Sequence, residues 1–279
     1  MEIIRNIADM QARSDTLRLA GKTLGFVPTM GFFHEGHLNL MRMARAQTDI
    51  VIISNYVNPA QFDRKDDLLS YPRDLEKDRL LAEKEGADIC FQPDNLYETN
   101  HLTWVETEKI TNVLCGVTRP GHFRGVATVV CKLFNIVRPH VAFFGQKDAQ
   151  QAAVIGQMIR DLNFDIKLVI SPVIREKDGL AMSSRNIRLT PEHRTSAPVF
   201  YEQLCMIEKN RLPDLSNTRE LTERARHEIL KIPGTKIDYI SILSWPELTE
   251  PDNDSKALLI AGAVFFGNVR LIDNIITVL

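Results

Sequence analysis

The chain has 279 residues, 44% of them hydrophobic and 25% charged, a length that can bury one large core or two modest ones and a composition that excludes disorder and fibrous repeats. A formal net charge of −2 at pH 7 argues against broad nucleic-acid binding, which needs a clustered positive surface to neutralise phosphates. Cys90, Cys115, Cys131 and Cys205 form no CxxC pair, which excludes zinc-finger spacing and points to free thiols in a reducing compartment.

The opening "MEIIRNIADM" carries an acid at position 2 and no long apolar core, so it does not read as a signal peptide. No segment approaches the run of roughly 18 to 20 apolar residues that spans a bilayer, and a cytoplasmic protein with no membrane partner is expected. Over the first 175 residues, short apolar runs alternate with longer amphipathic stretches, the pattern of βαβ units around a parallel sheet. Strands are predicted at "TLGFV", "IVIIS", "DICF", "VAFFG" and "IKLVIS". Between them, "HLNLMRMARAQ" repeats Leu40, Met43, Ala44 and Gln47 in helical spacing, and "RDLEKDRLLAEKEG" ends on a helix-stopping Gly86. A further helix is predicted to begin near Asp148 and run through "AQQAAVIGQMIRDL".

After "ISPVIREKDGLAMSSRN" the character changes. Leu221, Ala225 and Ile229 fall four apart on an amphipathic helix, and "KIDYISILS" and "KALLIAGAVFFGNVRLIDN" read as strands with a turn at Gly267 and Asn268. The expected architecture is therefore α/β: a Rossmann-like parallel sheet with helices on both faces over residues 1–175, then a smaller α+β domain over 176–279 acting as a lid.

The chemistry begins at "TMGFFHEGH". Ligands of an open parallel sheet bind beyond the carboxyl ends of its strands, where the next helix offers free N–H groups to phosphates. Gly31 and Gly36 let backbone approach a nucleotide, and His34 and His37 can stabilise charge that develops in phosphoryl transfer. A second candidate is "VNPAQF", where Asn58 and Gln61 both donate and accept hydrogen bonds and so suit a small hydroxy acid; an Asn-Pro turn without a ligand is the plainer reading. In "FFGQKDAQQ", Lys147 can balance phosphate charge and Gln151 lies one turn into the helix. "RPGHFRGVATVV" adds Arg119, His122 and Arg124, cations that suit an anion but serve more commonly in loop salt bridges. "REKDGLAMSSRN" offers two serine hydroxyls and Arg185, against the plain alternative of a solvated loop with a helix cap.

The HxGH spacing resembles the "HIGH"-type signature of the nucleotidyltransferase superfamily, and "MSSRN" resembles that superfamily's second, phosphate-closing loop. Taken together, "VPTMGFFHEGHLNL", "NPAQF", "YPRDLEKD", "RPGHFRGVATVV", "FGQKDAQQ" and "MSSRN" resemble the pantothenate synthetase (pantoate–β-alanine ligase) family, in its order and over nearly the whole chain. The resemblance implies a two-step ligation. The carboxylate of (R)-pantoate attacks the α-phosphate of ATP to give pantoyl adenylate and pyrophosphate, and the amine of β-alanine then displaces AMP to give pantothenate.

The same resemblance implies the site. Met30, Gly31, Phe32, Phe33, His34, Glu35, Gly36 and His37 hold ATP, with His37 as proton donor and His34 beside it, and Lys147 completes the catalytic set. Gly145, Gln146, Lys147 and Asp148 also bind ATP, Ile174 meets the adenine, and Met182, Ser183, Ser184 and Arg185 close over the phosphates. Gln61 contacts both pantoate and β-alanine, and Gln151 holds pantoate. Magnesium is implied as a companion of the triphosphate rather than in an all-protein cage, with Asp78 as an outer contact if it is anything but a solvated acid. A homodimer is also implied. Phe32, Phe33, Ala60 and Ala149 depart from the family pattern beside functional positions. The alternatives are another HxGH nucleotidyltransferase that passes a nucleotide to a small acceptor, a shortened aminoacyl-tRNA synthetase, for which the basic extension is missing, and a non-catalytic ATP-binding module.

Overall fold

A computed structural model describes residues 1–63, 65–212, 215–252 and 254–279. The chain divides into two compact units: residues 1–108, 119–145 and 154–172 form the first, and residues 109–118, 146–153 and 173–279 the second. The division falls at 172/173, and two short stretches from the first 175 residues group with the second unit.

The first unit contains strands β1 (Glu2–Ile4), β2 (Leu24–Thr29), β3 (Ile50–Asn55), β4 (Ile89–Phe91), β5 (Val141–Gly145) and β6 (Lys167–Ser171). All pair in parallel, in the order β1-β4-β3-β2-β5-β6. Their near-continuous apolar runs follow from burial on both faces, as a parallel sheet requires. Helices α1 (Ile7–Leu19), α2 (Glu35–Gln47), α3 (Lys65–Leu69) and α4 (Leu75–Lys84) occupy the connections of the first half. Val27, Val51, Ile53, Cys90 and Phe143 share a core with Leu38, Met41 and Ala44 of α2 and Ala82 of α4. Side chains alternate along a strand, so Phe26 and Ile52, both fully buried, turn to the opposite face.

β2 is the strand that positions the site. Its neighbours are β3 on one side and β5 on the other, so the chain leaves β2 in one direction and returns on the other side. That reversal opens the crevice in which ligands of doubly wound sheets sit. The residues that follow β2 there are Met30 and Gly31.

The second unit holds α5 (Cys115–Thr118), then, after the first unit's α6 (His122–Val137), the start of α7 (Ala149–Asp161), and α8 (Pro191–Ser196), α9 (Pro198–Asn210) and α10 (Thr218–Leu230). Strands β7 (Thr235–Ser244), β8 (Ala257–Phe266) and β9 (Val269–Val278) make an antiparallel meander. Phe200, Leu204 and Ile207 of α9 and Leu221, Ala225 and Ile229 of α10 pack with Leu258, Ile260 and Val264 of β8. The β8–β9 turn has two residues, and only its first, Gly267 at φ 58, is left-handed, the pattern of a type II′ hairpin.

The expected strands and helices stand within a residue or two of their places, the helix near Asp148 included, apart from β9, which runs on to Val278 past the expected end at Asn274. A 3₁₀ turn over Gln146–Asp148 leads directly into α7. β1, α1, α3, α5, α6, α8 and α9 were not among the elements expected. β1, α3, α5 and α8 are short, α1 has a weak apolar stripe, and α6 buries much of its circumference, which leaves little periodicity to read; α9 buries Pro198, Phe200, Leu204 and Ile207 along one side.

Candidate active site

In the first unit, the loop after β2 is held in an uncommon conformation. Gly31 (φ 83) and Phe32 (φ 53) both lie in the left-handed region, which a side chain with a Cβ adopts at a cost of about 1 kcal/mol or more. Asp78 of α4 provides the compensation. Its Oδ2 accepts from the Phe32 N–H and its Oδ1 from the Phe33 N–H, each at 2.7 Å, and the Asn55 amide donates to Oδ2 at 3.1 Å. A Cβ on Gly31 would stand 2.5 Å from Asn55 Oδ1 and 2.9 Å from Asp78 Oδ2, so glycine is required there by space as well as by φ.

Asp78 is therefore not the solvated acid of a helix face: it is only 2% exposed, and both its oxygens are engaged by the loop. Burial, with the Asp78 carboxylate nearby, pushes the neighbouring Cys90 thiol up to about 11. A cavity of about 150 Å³ lined by Phe33, Asn55, Asp78, Cys90 and others lies behind this clamp; neither His34 nor His37 lines it. Phe33 is buried in the core with Leu38. Phe32 stays partly exposed, with the Lys77 ammonium 5.9 Å from its ring centre.

The clamp delivers the chain into α2 with His34 as its N-cap. His34 Nδ1 accepts from the Gly36 N–H at 3.2 Å, and His37 Nδ1 accepts from the His34 N–H at 3.3 Å, a reciprocal capping box built from two imidazoles. A neutral imidazole that accepts at Nδ1 carries its proton on Nε2. Both rings are thus set as Nε2–H donors, 4.1 Å apart between centroids. The three-residue spacing of HxGH is what the box demands, because N-cap and N3 are three residues apart. Glu35 is engaged by Arg42, which also pairs with Glu85.

The "NPAQF" turn stands beside this loop. Gln61 is 9% exposed, its Nε2 lies 3.1 Å from Met30 Sδ, and its Oε1 accepts from Asn58 at 3.0 Å. Asn58 in turn donates to the Gly125 carbonyl at 3.1 Å and accepts from the Tyr97 hydroxyl at 3.0 Å. Gly125 is needed for that approach, since a Cβ there would strike the Ala60 carbonyl. His122 donates from Nδ1 to the Gln61 carbonyl at 2.7 Å, and Arg119 pairs with Asp63 at 3.1 Å. Burial raises the Asp63 carboxyl, but Arg119 and the local hydrogen bonds outweigh it and hold the group below its ordinary range. Arg119 therefore serves as a salt-bridge partner. Arg124 lies 5.0 Å from the Trp104 ring centre.

β5 ends at Gly145, where an added Cβ would meet no atom within 4 Å. In the second unit, the turn Gln146–Asp148 is bound by Asn274 of β9, which donates to the Gln146 and Lys147 carbonyls at 2.9 and 3.1 Å and accepts from the Gln146 amide at 3.2 Å. Gln151 is partly exposed, whereas its neighbour Gln150 is buried and bonded to the 109–118 stretch. The Ile174 carbonyl accepts from the Met182 N–H at 2.9 Å, closing a narrow hairpin with a bridge between Arg175 and Ala181. Ser183 Oγ accepts from the Arg185 N–H at 3.2 Å, a local turn and not the helix cap that the plain reading expects, because the following 3₁₀ turn has Arg185 at its N-cap with no side-chain cap; Ser184 is buried. Asn274, Asp273 and Arg175 were not among the expected site residues. Among the described residues, no three His, Cys, Asp or Glu side chains cluster to hold a metal.

A family model described as pantoate-beta-alanine ligase matches residues 2–276. A pantothenate synthetase from Caldicellulosiruptor bescii is 50% identical, and one from Thermotoga neapolitana 47%, each match covering 99% of both chains. The crystal structure of pantothenate synthetase from Thermus thermophilus superposes with a TM-score of 0.87 at 38% identity, covering 99% of both chains. That of pantoate-beta-alanine ligase from Francisella tularensis, complexed with beta-gamma ATP and beta-alanine, gives 0.81 at 34%, covering 99% of this chain and 97% of that one. Similarity of this extent over the whole length, with the HxGH turn at the reversal point of the sheet, means that the chain belongs to the pantoate–β-alanine ligase family.

Proposed function

We propose that the protein condenses (R)-pantoate with β-alanine at the expense of ATP, through pantoyl adenylate, releasing pyrophosphate and AMP. The observation that carries this reading is the capping box of His34 and His37, which fixes two Nε2–H donors at the mouth of a doubly wound sheet. Such donors suit the negative charge that grows on the phosphate oxygens when a carboxylate attacks and pyrophosphate leaves. No covalent enzyme intermediate is required, so the protein's work is alignment and charge balance. His37 gives a proton or a hydrogen bond to the phosphates, His34 supports it, and Gln61, fixed by Asn58 and facing Met30, reads the hydroxyl and carboxylate groups of pantoate and then meets β-alanine. Lys147 offsets phosphate charge, the Gly145–Asp148 N–H groups and Met182–Arg185 bind the nucleotide, Ile174 meets its base, and Gln151 holds pantoate.

Magnesium enters this reading with ATP. The HxGH loop does not fit a direct site for the ion, since both oxygens of Asp78 accept N–H donors. The family resemblance supports a homodimer, and four free cysteines suit a reducing cytoplasm. No helix among the described residues is long and apolar enough to cross a membrane.

The test supplies pantoate, β-alanine and ATP with magnesium and measures AMP and pantothenate. Pyrophosphate release with pantoate alone isolates the first step. AMP formation only with some other acid or amine would refute the assignment.

A further inference from the structure

We infer that the Asp273–Asn274 pair in the middle of β9 is a positioning element for ATP, setting the peptide planes of the Gln146–Asp148 turn and the strand that follows Ile174. The inference rests on the reading that these two segments contact the nucleotide.

Asn274 is 3% exposed, and its amide captures two successive carbonyls, those of Gln146 and Lys147. In a trans peptide the C=O and the next N–H point in opposite directions. Holding both carbonyls on the Asn274 side therefore aims the Lys147 and Asp148 N–H groups away from it, together, as a pair of donors suited to one phosphate. A side chain offering fewer donors at position 274 would leave one or both planes free to rotate.

Asp273 performs the same service for the other segment. It is 3% exposed and receives Arg175 through two hydrogen bonds, at 2.6 and 3.0 Å, while accepting from the Asn274 N–H at 2.7 Å. Arg175 also donates to the Gly179 carbonyl at 3.1 Å and lies 3.4 Å from the ring centre of Tyr201. Ile174 is peptide-bonded to Arg175, whose guanidinium is held by Asp273 and the Gly179 carbonyl and lies over the Tyr201 ring. Burial raises the Asp273 carboxyl, opposed by Arg175 and by Lys147, so the same carboxylate exerts its field on the lysine proposed to face the phosphates. Two adjacent residues at the middle of β9 thus engage two stretches that are far apart in sequence.

The experiment measures ATP binding by calorimetry and the pantoate-dependent release of pyrophosphate in Asn274→Ala and Asn274→Ser, with thermal unfolding alongside. Losing the two amide donors is expected to weaken ATP about ten-fold or more in the alanine variant and about three-fold in the serine variant, while the KM for pantoate changes less than about two-fold. A purely structural role would lower the folded fraction and hence the apparent kcat, leaving the affinity of the folded enzyme for ATP unchanged. ATP affinity within two-fold of the parent in whichever position-274 variant folds overturns the inference. A parent protein that binds ATP but releases no pyrophosphate with pantoate would count against the ligase reading, not against the positioning role; one that does not bind ATP overturns both.

Discussion

Replacing Asp78 by alanine tests the argument that a buried carboxylate holds the HxGH loop. The change removes the acceptor of two backbone N–H groups at 2.7 Å and of the Asn55 amide at 3.1 Å. Hydrogen bonds to a charged acceptor contribute about 1.5–3 kcal/mol each, but they are not additive, and the loop can relax by leaving the left-handed conformation of Phe32. The two backbone N–H groups left unsatisfied, at about 1–3 kcal/mol each, are the better guide. Against a total stability of about 5–15 kcal/mol, the variant stays folded at moderate temperature, with its loop no longer delivering His34 to the N-cap.

Urea unfolding, followed by fluorescence of Trp104 in the first unit and Trp245 in the second, should show the lost stability in the Trp104 transition. Pyrophosphate release should fall more steeply than the folded fraction. Asp78→Asn keeps the shape and one carbonyl acceptor but turns an NH₂ toward donors, so a loss of about 1–3 kcal/mol is expected. If Asp78→Ala unfolds within about 1 kcal/mol of the parent and keeps its activity, the clamp is not what shapes the loop.

Three further outcomes are expected. Gly31→Ala should cost at least about 2 kcal/mol in urea, from the left-handed φ and the approach to Asn55 and Asp78; a variant as stable as the parent contradicts the geometry. Gln61→Ala should lower kcat/KM for pantoate about ten-fold or more with little change in the KM for ATP, and equal effects on both substrates would deny Gln61 a pantoate contact. The pH dependence of stability should carry a signature from His140, whose Nδ1 accepts the Leu24 N–H at 2.9 Å and whose pKa is lowered first by burial and then by Arg18, against Asp165. A lowered folded pKa makes this contribution full above the unfolded value of about 6.5 and lost as pH falls through the folded one. The urea midpoint should therefore decline more shallowly from pH 7 to pH 5 in His140→Ala than in the parent.

The local parts of the site were legible in the sequence because their physics is local. A capping box spans three residues, so His34 and His37 announce a helix start as well as a pair of donors. The strand ends were legible for a similar reason: apolar runs such as "VAFFG" stop where the sheet stops. β1, with three residues, carries too short a pattern to stand out. α6 buries Phe123, Val126, Ala127, Val129 and Val130 in succession, a run that reads no more as helix than as strand.

The parts that escaped are short polar side chains acting over long separations, Asp78 on the HxGH loop and Asp273–Asn274 on the turn after β5. Seen in sequence, an acid within a helix is ordinarily a solvated one. Yet a signal was present in the phase of the pattern rather than in the residue. Asp78 lies one turn before Ala82, on the stripe of α4 that is buried, and Asp273 continues the alternation of Val269 and Leu271, the inward positions of β9. A charge at an apolar phase must be either disfavoured or fully hydrogen-bonded, because burying it unpaired costs several kcal/mol. Fully bonding it requires donors brought from elsewhere in the chain, and the donors worth such a cost are those whose orientation matters. Charged residues that fall in register with a core are thus the places to look for a loop that is being held in position, and in this chain both such loops are ones proposed to bind ATP.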